Sequence, residues 1–250
     1  MIASVQHGDL SYQIDLSKPL DISIALKHGQ GSVNAWYQPP PSIQPVKDSD
    51  FIGSVAHGAP VNFNEVTFNP HSHVTHTECL GHITEEVFSV NKKLKTYFMW
   101  AELVSIAPEK VEGDFVVSSE QLKTARKNQG ARALIIRTLP NTNMKRTIDY
   151  AHKNPPYLSK EAMEYIVAEG IEHLLVDLPS VDKEKDGGKL EAHKTFWKVN
   201  QSPRTSATIT EFVFVPGAID DGLYWLNLQV APFENDAAPS RPVLFKPTEI

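Results

Sequence analysis

One cysteine in 250 residues leaves no internal disulfide to stabilise the fold, so the chain must hold together by burial. No basic-then-apolar leader precedes the polar Gln6-His7-Gly8-Asp9 run, and with the lone thiol this sets the expectation of a reducing, cytoplasmic setting. No apolar run approaches the roughly 18 to 20 residues that span a bilayer. The formal charge is -6 and no basic patch interrupts it, which argues against nucleic acid and anionic membrane as partners. Also missing is a His-Glu-x-x-His pair, so a helix-borne zinc protease site is excluded. The composition, 41% hydrophobic, is enough for a large core, and by length alone one domain over residues 1–250 is as plausible as two.

What is present is crowded into Asn69-Pro70-His71-Ser72-His73-Val74-Thr75-His76-Thr77-Glu78-Cys79-Leu80-Gly81-His82. Four of the ten histidines fall in this stretch, beside a carboxylate and the only cysteine. Val66, Phe68, Val74 and the threonines favour extended backbone, in which side chains two apart emerge on the same face. His76 and Glu78 then point the same way, and an imidazole with a carboxylate can grip one divalent cation such as Zn, Mn or Fe(II). His71 and His82 lie in the flanking segments and are expected to join from the preceding and following turns. His73 reads as a solvated neighbour. Cys79 faces opposite to Glu78 and is expected to pack in the core. His28 and His57 sit among glycines as surface turn residues.

Elsewhere the chain alternates helix and strand signals. Ser11 to Leu16 reads as an opening strand, with a short apolar piece from Ser17 to Ile24. Trp36-Tyr37 runs into Pro39-Pro40-Pro41, a stiff extended segment, and Trp36 serves equally as a pocket wall or a cap on the core. Gly53 to Phe68 is expected to form a hairpin, and Trp100 to Ile106 and Phe115 to Val117 to be strands. Ser118 caps a helix running to about Arg126, and Ala133 to Thr138 is a buried strand. Ser159 precedes a second helix, Lys160 to Glu169, ended by Gly170, and a further buried strand spans Ile171 to Asp177. This repetition of capped helix and buried strand predicts an α/β architecture. Ala207 to Val215 is a β-prone run with Glu211 in its middle, either an edge charge or a buried acid with a partner. Asp220-Asp221-Gly222 reads as a turn and Leu223 to Val230 as a last strand. Pro232 to Ile250 reads as an irregular tail lying along its own subunit or a neighbour, which favours a homo-oligomer, dimer or tetramer.

The run Thr75-His76-x-Glu78-x-x-x-His82, preceded by Pro70-His71, resembles the signature H-x-G-T-H-x-D-x-P-x-H of the cyclase family of metal-dependent hydrolases, which includes kynurenine formamidases and isatin hydrolases. Asp15-Leu16-Ser17 resembles that family's usual entry. Thr75, His76 and His82 fall in register. Glu78 stands where the family has Asp, Leu80 where it has Pro and Val74 where it has Gly. His71 is one residue further from His76 than the family's first His, a spacing that a one-residue bulge before Thr75 is expected to absorb.

The resemblance implies a single-domain mixed β-sheet core with flanking helices, of the swivelling β/β/α type. It implies one or two divalent ions, zinc first and manganese or iron as alternatives. His71, His76 and Glu78 would hold one cation, and His193 with Glu211 would complete the site or hold a second. His193 and Glu211 take these roles by their order in the chain, with Asp177, Asp182, Asp220 and Asp221 as competing carboxylates. Asp177 is also an expected acceptor for a histidine. His82 would be the general base, and Glu211 is the other catalytic candidate. The implied reaction is hydrolysis of an amide-like bond, a formamide or a cyclic amide or imide, in a small-molecule substrate. Trp36, Tyr37, Phe196 and Trp197 are candidate aromatic walls.

Overall fold

The computed structural model describes residues 1–128 and 130–250. Four parallel strands form its centre: Phe98–Ile106, Ala133–Thr138, His173–Val176 and Thr208–Glu211, hydrogen-bonded in that spatial order. The helices between them obey their sequence signals. Ser118 accepts from the Gln121 N–H while the Gln121 side chain accepts from the Ser118 N–H, a reciprocal cap that starts the helix Ser119–Ala125. Ser159 likewise accepts from Ala162 N and starts Lys160–Ala168.

Alternation along the central strands divides the core in two. Leu134, Ile136, Leu174, Val176 and Ile209 face the helices, against Leu122, Met163, Ile166, Phe196 and Trp197. Ala133, Ile135 and Leu175 face the other way, against Ile22, Leu94, Tyr224, Leu226 and Leu244. Strands covered on both faces have no need to alternate polar and apolar, which is why these read as continuous apolar runs.

Antiparallel strands extend the sheet at both sides. His76–Glu78 and then Ala237–Pro239 lie beyond Thr208–Glu211. Gly222–Asn227, Val243–Phe245 and Leu20–Asp21 lie beyond Phe98–Ile106. This nine-stranded mixed sheet curls on itself: the Phe214 N–H donates to Ile22 O at 2.8 Å, and Ser23 bridges Val213. The α/β expectation therefore holds, with the sheet carrying most of the structure. No helix among the described residues is long and apolar enough to cross a membrane.

Three expectations are corrected. The hairpin does not lie within 53–68. Ser42–Pro45, fed by the extended Pro39-Pro40-Pro41 run, pairs with Asn64–Thr67, and the interval holds a short turn at Val55–His57 closed by Gly58 at φ +89°. The strand from Ala207 does not continue to Val215, because Phe212 adopts φ +55° and sends Val213 toward Ser23. The tail is not irregular: Ala237–Pro239, Val243–Phe245 and Pro247–Glu249 all pair with strands of its own chain.

Candidate metal centre

The strand His76–Glu78 supplies the first two groups. His76 and Glu78 share a face, and Thr77 on the opposite face meets the Thr210 hydroxyl at 2.8 Å. The register sets Glu211 directly across from His76. Their side chains therefore meet, with His76 Nε2 3.4 Å from Glu211 Oε2 and 4.0 Å from Glu78 Oε2. His76 Nδ1 lies 3.1 Å from Val74 O, an acceptor, so the ring proton sits on Nδ1 and the Nε2 lone pair faces the carboxylates. Complete burial pulls this imidazole down to about 3, which keeps it neutral.

His71 arrives by a different device from the expected bulge. Pro70–His73 is a single helical turn, with Pro70 at its first position and the Asn69 side chain accepting from His71 N at 2.9 Å. That turn shortens the path enough to bring His71 Nδ1 to 3.1 Å from Glu78 Oε2. The same turn carries His73 away from the cluster. Contrary to the expectation of a solvated ring, His73 is buried, and its Nδ1 accepts from Asn69 N.

His82 follows on the turn Leu80–Ile83, its Nε2 3.8 Å from Glu78 Oε2. Gly81 is required there, because a Cβ at this position would run into the carbonyl oxygen of Phe88. His193 comes from the helix Glu191–Trp197, and its Nε2 lies 3.1 Å from Glu78 Oε1 and 4.0 Å from Glu211 Oε1. Asp182 fixes that ring by accepting from His193 Nδ1 at 2.6 Å and from the backbone N–H of Ala192 and His193. Glu211 Oε1 accepts from Val181 N at 3.2 Å.

The side chains of His71, His76, Glu78, His82, His193 and Glu211 thus lie together, with Glu78 in the middle. Of the competing carboxylates, Asp182 reaches the cluster through His193, while Asp177 and Asp221 are bonded elsewhere. Asp177 is bonded by Thr138 and by Lys145 Nζ at 2.8 Å, so the acceptor role expected of it belongs to Asp182. Asp221 binds Ser105 and Arg137, away from the cluster. One member had no signal in the sequence: Asp236, whose Oδ2 lies 2.9 Å from His71 Nε2 and 3.3 Å from His82 Nδ1. It belongs to the tail, which carries no motif.

Burial raises Glu211, Glu78 adds to it, and the carboxyl is pushed up to about 8. Burial opposes ionisation of Glu78 too, but His82 and His193 outweigh it and hold this carboxyl well below its usual range. For His71 and His193 burial works downward. The neighbouring carboxylates, Asp236 and Glu78 in one case and Asp182 and Glu78 in the other, outweigh it and push each up to about 10. Buried carboxylates are therefore balanced by protons on imidazoles, a state a divalent cation can replace.

The donor set fits such a cation. His76 Nε2 and Glu78 Oε2 are buried without a hydrogen-bond partner among the described residues, and an imidazole lone pair beside a carboxylate oxygen is the chemistry Zn, Mn and Fe(II) accept. Three overlapping groups offer ligand atoms within 4.8 Å of one another: His71, His76 and Glu78; Glu78, His82 and His193; and His71, His82 and Asp236.

Around the centre, Thr75 ties the backbone. Its hydroxyl accepts from Ile24 N at 2.6 Å and donates to Phe212 O, which leaves it no role as a nucleophile. Trp36 is half-buried, its indole N–H donating to His71 O at 3.1 Å, and the exposed Tyr37 packs on His152. Phe196 and Trp197 are fully buried in the helix-side core, so neither is a wall of an open cavity. Cys79 is also fully buried, on the face opposite Glu78, where burial pushes its thiol up to about 11.

Residues 14–183 match the family model named Cyclase. That span includes His71, His76, Glu78 and His82 and ends before His193, Glu211 and Asp236. No curated protein matches the chain. Among solved structures, a potential metal-dependent hydrolase with cyclase activity superposes with a TM-score of 0.65 at 15% identity, covering 92% of this chain and 98% of that one. An isatin hydrolase bound to the product analogue thioisatinate gives 0.66 at 15% identity, covering 92% and 93%. Isatin hydrolase A from Labrenzia aggregata, bound to benzyl benzoate, gives 0.66 at 11% identity, covering 91% and 93%. At these identities the likeness is one of fold.

Proposed function

From the premise that the chain belongs to the cyclase family, we propose that it is a metal-dependent hydrolase of an amide-like bond, a formamide or a cyclic amide or imide, in a small-molecule substrate. The observation that carries this reading is the pair of orphaned buried atoms, His76 Nε2 and Glu78 Oε2, at the meeting point of six ionisable side chains. His71, His76 and Glu78 would hold a first divalent ion, zinc before manganese or iron, and His193 with Glu211 would complete its shell or hold a second. Bound there, such an ion supplies Lewis acidity toward a carbonyl oxygen and acidifies water.

The proton work falls to His82. Its side chain is 31% exposed, against 0% for His76 and 2% for His193, so it is the imidazole of the three that substrate and water can reach. Its Nε2 accepts a proton from the attacking water as the new C–O bond forms, and returns it to the nitrogen as the C–N bond breaks. Atoms balance as amide plus water giving carboxylic acid plus amine. Glu211, whose carboxyl burial pushes up to about 8, holds a proton in the metal-free centre and would serve as a ligand to a bound ion. Trp36 lies against the His71 backbone and would bound the acyl or aromatic part of the substrate.

The test is a panel of N-formyl anilides, cyclic imides and lactones assayed with zinc or manganese, in water labelled with oxygen-18. Turnover of an amide or imide with one labelled oxygen in the product supports the reading. Binding without turnover across the panel makes the protein a small-molecule binder on the same fold, and product without label makes it a lyase.

A further inference from the structure

We propose that Asp236 is a positioning residue whose single oxygen, Oδ2, sets the ring tautomers of both His71 and His82. The proposal rests on the metal-dependent hydrolase reading and adds to it the element that makes one imidazole a ligand and its neighbour a base.

The two rings stack with centroids 4.3 Å apart and planes 28° from parallel. Each turns a different nitrogen toward Asp236: Nε2 of His71 at 2.9 Å and Nδ1 of His82 at 3.3 Å. A carboxylate only accepts, so each of those nitrogens must carry its hydrogen. The consequence is opposite at the two rings. At His71 the other nitrogen, Nδ1, faces Glu78 Oε2 at 3.1 Å and shares a hydrogen with it in the metal-free protein; with an ion on that oxygen, Nδ1 is the nitrogen that would give up its hydrogen and ligate. His82 is left with its lone pair on Nε2, which also faces the Glu78 side, at 3.8 Å, where a proton can be accepted.

The carboxylate is held on a fixed backbone. Cys79 N donates to Asp236 O at 3.0 Å, Val90 N donates to Asn235 O at 2.9 Å, and the next residue, Ala237, pairs in register with Glu78. Asp236 thus stands to one side of Glu78 as Asp182 stands to the other, where it accepts from His193 Nδ1. Carboxylates in this relation to an imidazole fix its orientation and tautomer and raise its basicity.

Asp236→Asn keeps the shape but lets an amide nitrogen donate where the carboxylate only accepted. With the full chain loaded with zinc and labelled with nitrogen-15 histidine, long-range proton–nitrogen correlation spectra read each tautomer directly. We expect His82 with its hydrogen on Nδ1 and His71 with its hydrogen on Nε2. In Asp236→Asn the His82 preference is lost and kcat falls on the order of 10–100-fold, with KM and zinc stoichiometry unchanged. Asp236→Ala, which removes the side-chain acceptor without placing an amide, is expected to lose the same preference and guards against misfolding of one variant. A wild-type His82 with its hydrogen on Nε2 overturns the proposal. So does unchanged kcat in both variants, and so does loss of a bound zinc in Asp236→Asn, which would make Asp236 a ligand. Should the wild type turn over no amide while both tautomers are as stated, the hydrolase reading fails and the positioning role stands.

Discussion

The four imidazoles around Glu78 fall into two unlike pairs. His76 and His193 are almost wholly buried, and each has Nδ1 committed to its own acceptor, Val74 O or Asp182, with Nε2 aimed at the carboxylates. His71 and His82 are 18% and 31% exposed, stack on each other, and share one oxygen of Asp236. The buried pair is set by the sheet and a helix, with no freedom to turn. The open pair rides on two short turns, Pro70–His73 and Leu80–Ile83, and owes its aim to a distant carboxylate. Rigid burial suits holding an ion; in the open pair the less exposed His71 turns Nδ1 to the same side as a ligand, and the more exposed His82 is placed to exchange a proton with substrate.

The sharpest way to break this contrast is to remove one member of each pair. His76→Ala should abolish both divalent-metal binding and turnover, a loss larger than the ~100-fold that attends removal of an outer hydrogen-bond partner; metal analysis beside the hydrolysis assay checks it. His82→Ala should lower kcat by roughly 10²–10⁴-fold while metal content stays at the wild-type level. Equal metal loss in the two variants would erase the distinction between ligand and base. Smaller in effect, Asp182→Asn frees His193 to turn, and zinc affinity measured by competition with a chelator should weaken about 10–100-fold. Smallest, Gly81→Ala forces the backbone near Phe88 apart, and denaturant unfolding should record a loss of about 1–3 kcal/mol together with reduced kcat, because His82 moves.

The buried pair and the open pair also differ in how far the sequence revealed them. The strand His76–Glu78 was legible because period-two alternation in a β-prone run fixes a shared face without reference to the rest of the chain. The helices capped by Ser118 and Ser159 were legible for the same reason: a cap is a local hydrogen bond. The apolar runs Ala133 to Thr138 and Ile171 to Asp177 announced strands covered on both sides. His193 and Glu211 could be nominated only by resemblance, since their meeting with His76 depends on strand register and helix docking. Asp236 could not be nominated at all. Its place is set by the pairing of Ala237–Pro239 with His76–Glu78, a contact between segments far apart in the chain that leaves no trace in local composition. The bulge expected before Thr75 failed because Pro70 after Asn69 favours a helical turn, a cap-and-proline signal that the extended pattern around it obscured.

The account turns on Glu78 as the centre of a divalent-metal site, and zinc titration of the chelator-treated protein by calorimetry tests it most directly. In the metal-free protein His71 and His193, each raised to about 10, carry protons at neutral pH, so binding must release protons and affinity must rise as pH increases from neutrality toward about 10. The predicted result is one or two equivalents of zinc per chain, heats that depend on buffer ionisation, and no binding by Glu78→Gln. Less than about a tenth of an equivalent, or full binding by Glu78→Gln, would contradict it.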